Sequence, residues 1–450
     1  MTRHVIQGHF GKADRTNLAV AGHDEKSTRF DLVAHDTFLG HGIGHALEDL
    51  TAKNVFPTEL GLDLLVIAVH VYASDTRISR DTESDDAWTR EIRLVIPVSD
   101  VPLWNAAVSI LERMLNFLTG DRWTLQFRPR PPKFMAHVPQ PNLIAPPFTG
   151  ISLFSGGLDS LIGAIDQLAA GQVPLLVSHA GEPAVSKAQD ECFDLLRDNH
   201  PDSHFERLRA WVTFPKDFVQ KVPPENTTRG RSFLFFALGA LAGSGLRRDF
   251  VLNSPENGFI ALNVPLDVLR LGALSTRTTH PFYIARWNDL LKTIGIPGRI
   301  ENPYWKMTKG EMVAACSNKS LLKAIVSSSL SCSSPTKGRW KGHATGHCGY
   351  CVPCLIRRAS LRTFGDLTPY ALPNLRAKKW DPQTAEGEQI RSFQLAAARL
   401  HSRPGLERLL VHKPGPLDDS PQAVPDLAAV YKRGLEEVER LLQGVQTRPA

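Results

Sequence analysis

No Gly-x-x-x-x-Gly-Lys-Ser/Thr motif occurs in the 450 residues, so a phosphate loop whose lysine reaches the β- and γ-phosphates is excluded. An apolar run of membrane length is also missing. The longest, Phe233 to Leu241 with small residues on to Leu246, falls short of the roughly 20 residues a span needs and stops at Arg247-Arg248, so it reads as a buried helix. No N-terminal stretch has the charged, apolar and small-residue layout of a secretion signal, and a cytoplasmic protein without a membrane partner is expected. Charge of one sign is scarce. The 52 Lys+Arg against 46 Asp+Glu leave +6, which permits a nucleic-acid partner without indicating one. Arginines alternate with aromatics at Arg122-Trp123 and Phe127-Arg128-Pro129-Arg130, but an edge strand with solvated arginines explains that pattern more simply. Cysteine is rare, with six residues, and four of them crowd between 332 and 354. A 42% apolar and 22% charged composition is that of a globular protein, and the length suggests two or three domains.

What is present centres on Ser155-Gly156-Gly157-Leu158-Asp159-Ser160. Ile151-Ser152-Leu153-Phe154 before it reads as a short buried strand, and Leu161-Ile162-Gly163-Ala164-Ile165 after it as one face of a helix. Two glycines let the backbone approach a ligand with no Cβ in the way, and a helix N-terminus offers unpaired N–H groups to an anion. The six residues therefore read as a phosphate cradle with hydroxyls (Ser155, Ser160) and a carboxylate (Asp159) in place of a lysine. A Gly-Gly turn capped by Ser and Asp, with no ligand, is the plainer alternative.

The second constellation is Cys332 with Cys348-Gly349-Tyr350-Cys351-Val352-Pro353-Cys354. Two-residue gaps let successive thiolates turn onto one ion, and four thiolates favour a closed tetrahedral site, hence structural zinc. A redox Cys-x-x-Cys pair and an iron–sulfur cluster are the alternatives. His343 and His347 lie in the same loop and are read as solvated rather than as ligands. Cys192 and Cys316 are read as small buried hydrophobes.

Ser-Gly-Gly-x-Asp-Ser resembles the pyrophosphate loop of the N-type ATP pyrophosphatases. That loop followed by this cysteine pattern resembles one branch, the QueC family of 7-cyano-7-deazaguanine synthases. Gly230-Arg231-Ser232-Phe233, Met307-Thr308-Lys309-Gly310-Glu311 and Leu355-Ile356-Arg357-Arg358-Ala359 are similar to three further family segments. The resemblance covers about residues 150–365. It implies an α/β fold with a parallel-sheet, adenine-nucleotide α-hydrolase-like core and a zinc knot. It also implies ATP with magnesium bridging its phosphates, and AMP-forming activation of a 7-deazaguanine carboxylate. Asp159 would order the ion or the loop, and Arg231 and Lys309 would neutralise phosphate charge. Departures are Ser232 where the family has Asn, and a stretch from Asn253 to Gly258 and Ser275 to His280 without the family's acidic motif. That stretch, with Arg277 and His280, is expected to form a reshaped acceptor site. The added flanks are similar to those of enlarged QueC-like proteins in bacterial anti-phage gene clusters, which implies a partner protein encoded nearby.

The flanks are expected to be an α+β domain over residues 1–145 and a helical appendage over 370–450, presenting that partner. Leu64 to Val71 and Ile92 to Val98 read as strands, Ala107 to Leu118 as a helix, His41-Gly42-Ile43-Gly44-His45 as a turn, and the Pro-rich 128–147 as a linker. A tRNA thiolase or lysidine synthase on the same fold, and a non-catalytic nucleotide-binding scaffold, are the alternative functions.

Overall fold

The structure is a computed structural model that describes residues 2–16, 24–84, 87–225, 229–267, 277–336, 342 and 345–448. Its first part contains β1 (Arg3–His9), β2 (Glu25–Asp31), the short pair β3 (Val33–His35) and β4 (Phe38–Leu39), and α1 (Ile43–Ala52). Then come α2 (Glu59–Arg77), α3 (Arg80–Glu83), β5 (Glu91–Val98), α4 (Val101–Thr119) and β6 (Arg122–Pro129). Four strands make a sheet in the order β2-β1-β5-β6, with every pair parallel. Parallel neighbours need crossover connections; α2 lies between β2 and β5 and α4 between β5 and β6, so this part is α/β rather than the expected α+β.

The run from Leu64 to Val71, expected as a strand, lies inside α2. Thr58 caps that helix by accepting from the Gly61 amide at 3.2 Å, and nearly every residue from Gly61 to Thr76 is buried. A continuous apolar run has no period that separates a buried strand from a helix buried all round. Here the helix is sandwiched between the first sheet and a helix of the second part.

The second part runs β7 (Gly150–Leu153), α5 (Leu158–Ala169), β8 (Pro174–His179), α6 (Pro183–Asn199), β9 (Glu206–Ala210), α7 (Arg231–Ser244) and β10 (Phe250–Asn253). It continues with α8 (Gly258–Leu262), α9 (Pro281–Thr293), β11 (Gly298–Glu301), α10 (Lys309–Ala315) and α11 (Lys319–Ile325). Its five parallel strands stand in the order β11-β10-β7-β8-β9. The chain winds from β7 out to β9 on one side, then returns to β10 and β11 on the other. The order therefore reverses between β7 and β10, and in open α/β sheets that reversal opens a ligand crevice at the carboxyl ends of the strands.

Helices α12 (Val352–Leu361), α13 (Ala385–Ser402), α14 (Glu407–Leu410) and α15 (Val424–Leu442) complete the fold. One apolar core joins the two sheets, running from Ile6 through Leu65 and Phe236 to Ile151 and Trp287. A second unites the C-terminal helices with α8 and α12, through Phe259, Leu355, Phe393 and Tyr431. The C-terminal segment, expected as an appendage, is thus packed into the body of the molecule.

Candidate functional site

Leu153 ends β7 and the Ser155–Ser160 loop begins at the sheet's reversal point. Gly156 has φ +77°, a conformation L side chains resist, and a Cβ there would press on the Gln189 backbone nitrogen at 3.0 Å. Gly157 caps α5 without a side-chain bond. Its amide donates to the Ser155 hydroxyl at 3.3 Å, and that hydroxyl lies 3.2 Å from the Ser160 hydroxyl. Across the loop, the Leu330 amide donates to the Gly156 carbonyl at 2.8 Å, and the Leu158 amide donates to the Ser331 hydroxyl at 3.3 Å. The result is a cradle of small groups at a helix N-terminus, with Ser155 exposed at its mouth.

Asp159 faces the other way. Its carboxylate pairs with the Lys309 ammonium at 2.7 Å and accepts from the Asn257 side chain at 2.7 Å and the Asn257 amide at 3.2 Å. Asp159 and Lys309 are both buried. Together they lock α5, the loop after β10 and α10 into one unit behind the cradle. Lys309 sits at the first position of α10, whose Thr308–Glu311 capping box is braced from α15 by Glu437 and by an Arg433–Glu311 pair at 2.6 Å.

In front of the cradle lies a cavity of about 340 Å³ lined by Ser155, Ser160, Arg231, Ser232, Glu256 and Thr278 among others. Arg231 projects from the start of α7 and stacks its guanidinium over the Phe235 ring at 5.4 Å. The start of α7 is fixed from the first part of the chain, where the Gly230 amide donates to Asp75 at 2.6 Å. Asp75 belongs to a buried quartet: Arg90 pairs with Asp75 at 2.8 Å and with Asp121 at 2.6 Å, and Arg80 joins both. Of the segment expected to reshape the acceptor site, Ser275 and Thr276 lie outside the described residues. Neither Arg277 nor His280 lines the cavity. Arg277 donates to the Phe117 carbonyl at 2.6 Å, and His280 caps α9 by accepting from the Phe282 amide at 3.2 Å. Glu256, which carries no recognised motif, is the cavity's acidic member. Desolvation, opposed by a hydrogen bond from the Thr279 hydroxyl and reinforced by the charge of Asp159, pushes it up to about 7.

The four cysteines meet as their spacing predicts. Their sulfurs all lie within 4.8 Å of one another, with Cys332 to Cys351 and Cys348 to Cys354 both at 3.9 Å. A tetrahedron with metal–sulfur bonds near 2.3 Å has sulfurs about 3.8 Å apart, so the cluster can hold a metal ion such as zinc. Amides of Cys348 and Cys351 donate to cluster sulfurs at 3.5 and 3.3 Å. His347 is buried, not solvated, and accepts from the Ser331 amide at 3.1 Å. His343 lies outside the described residues. The cluster therefore abuts the loop that closes on the cradle, since Ser331 precedes Cys332. Arg357 of α12 anchors the same loop at Ser329 and Val326, at 2.8 and 2.7 Å.

No protein-family model and no curated protein matches this chain. Among the described residues no helix is long and apolar enough to cross a membrane.

Proposed function

We propose that this chain is an ATP-dependent, AMP-forming synthase or ligase of the QueC type. The observation that carries the reading is the cradle: a left-handed Gly156, a helix N-terminus and two serine hydroxyls stand at the reversal point of a parallel sheet, with Arg231 across the cavity. These groups suit a pyrophosphate, because oriented amides and a guanidinium favour anionic oxygens without a reacting lysine. A substrate carboxylate attacks the α-phosphorus of ATP, the bond to the bridging oxygen breaks, and pyrophosphate leaves with that electron pair. A nitrogen nucleophile then displaces AMP from the acyl-adenylate. Magnesium would come with the nucleotide, held by phosphate oxygens and soften the clash between carboxylate and triphosphate. The cysteine cluster would hold zinc as a structural ion.

The sequence resemblance supports a 7-deazaguanine carboxylate as substrate and a role in bacterial phage defence, with a partner protein as one acceptor. A thiolase reading is disfavoured by the two remaining cysteines. Cys192 and Cys316 are buried, and desolvation pushes their thiols up to about 12 and about 11, so neither is ready to carry sulfur.

The test is product analysis. With ATP, magnesium and 7-carboxy-7-deazaguanine, the protein should release AMP and pyrophosphate, and Ser155→Ala should lose most of that turnover. Mass spectrometry of proteins encoded beside it should show whether one gains the deazapurine. ADP as the nucleotide product would overturn the reading, and nucleotide binding without turnover would favour the scaffold alternative.

A further inference from the structure

Two carboxylates flank the cradle, and their surroundings set them apart. Asp159 of α5 is salt-bridged to Lys309 of α10 and accepts two hydrogen bonds from Asn257, and it does not line the cavity. Glu256 does line it, in the company of Ser155, Ser160, Arg231 and Thr278. Its backbone is fixed by Asn302, whose side chain accepts from the Glu256 amide at 3.3 Å and donates to the Glu256 carbonyl at 2.7 Å. One carboxylate oxygen accepts from the Thr279 hydroxyl, and no cation among the described residues pairs with the group. The charges that act on it are Asp159 and, more weakly, Lys309; Arg231, at the first position of α7, shares the cavity without an ion pair to it. One carboxylate bound into a salt bridge beside another left protonatable is how a site separates a structural anion from a proton carrier.

We propose that Glu256 is the proton acceptor of the second half-reaction. It takes the proton from the nitrogen nucleophile as that nitrogen attacks the carbonyl carbon of the acyl-adenylate. The carbon–nitrogen bond forms, the bond from the carbonyl carbon to the AMP oxygen breaks, and its electron pair leaves with AMP. The proton ends on the Glu256 oxygen that Thr279 does not occupy, next to the bound substrate rather than in bulk water. The assignment rests on the AMP-forming reading above.

Two rates separate the half-reactions: pyrophosphate–ATP exchange with 7-carboxy-7-deazaguanine, and AMP release when ammonium chloride is added. Glu256→Gln should lower AMP release by on the order of 100-fold while exchange falls far less. With rates compared at constant free ammonia, it should also abolish the rise of AMP release with pH through neutrality, and Glu256→Asp should recover part of the rate with that pH dependence. Equal losses in both rates would make Glu256 a magnesium or substrate ligand and overturn the assignment, as would unchanged AMP release. Absence of carboxylate-dependent exchange in the unmodified protein would overturn the AMP-forming reading and this assignment with it.

Discussion

Asp159 was legible as a motif residue, but its partners were not. Lys309 and Asn257 lie far away in sequence, and only the fold brings their charge and amide to its carboxylate. Asp159→Ala should therefore act on stability as well as on turnover, because it leaves a buried ammonium without its counter-charge, a loss of about 3 kcal/mol. Adding Lys309→Met should restore part of that loss in urea unfolding; a double variant no more stable than the single one would show that the pair contributes little. Glu256 makes the complementary prediction. Its carboxyl is raised in the folded protein to about 7, so the folded state binds the extra proton below that value. The associated stability is fully present below the usual carboxylate range and is lost as pH rises through neutrality. Glu256→Gln should flatten the stability profile between about pH 5 and 8. An unchanged slope would mean that the group titrates normally. Glu256 escaped sequence reading because it sits where the resembled family's acidic motif is missing, and burial, the cause of its shift, is not written in neighbouring letters.

At the scale of elements, local signals carried furthest. The strand before the Gly-Gly turn and the helix after it stand where the apolar pattern put them, as β7 and α5. The cysteines converge because the Cys348–Cys351–Cys354 spacing allows few other geometries. What the letters could not give is that the cysteine loop and the cradle are neighbours, joined through Ser331, His347 and Leu158. Cys348→Ser or Cys351→Ser should release about one equivalent of zinc and destabilise the fold by several kcal/mol. The same variants should weaken ATP binding, measured by calorimetry at a temperature where the chain stays folded. Full ATP affinity in a metal-free, folded variant would break the proposed connection between the two sites. The misreading of α2 belongs to this scale too: residues 64–71 are apolar without alternation, and only the α7 surface on its far side made a helix the better solution.

For the whole molecule, the flanking segments prove to be structural parts of the site. The first part of the chain supplies Asp75, which fixes the Gly230 amide and hence the helix start that carries Arg231. The last part covers Phe259, Leu355 and Ile356 and braces α10 through Glu437 and Arg433. Such long-range ion pairs and covered faces cannot be seen along one sequence, where both flanks looked free for docking. Removing residues 370–450 should therefore expose an apolar core and unseat Lys309, giving aggregated protein or a markedly lower Tm rather than a clean loss of a docking surface. A soluble truncated chain of unchanged Tm would contradict that.

The measurement closest to the central claim is the exchange of labelled pyrophosphate into ATP by the full-length chain. With magnesium and 7-carboxy-7-deazaguanine, label should enter ATP, should depend on the carboxylate, and should be abolished by Ser155→Ala or Arg231→Ala. Nucleotide turnover to ADP and phosphate without label in ATP would contradict an AMP-forming site at the carboxyl end of β7.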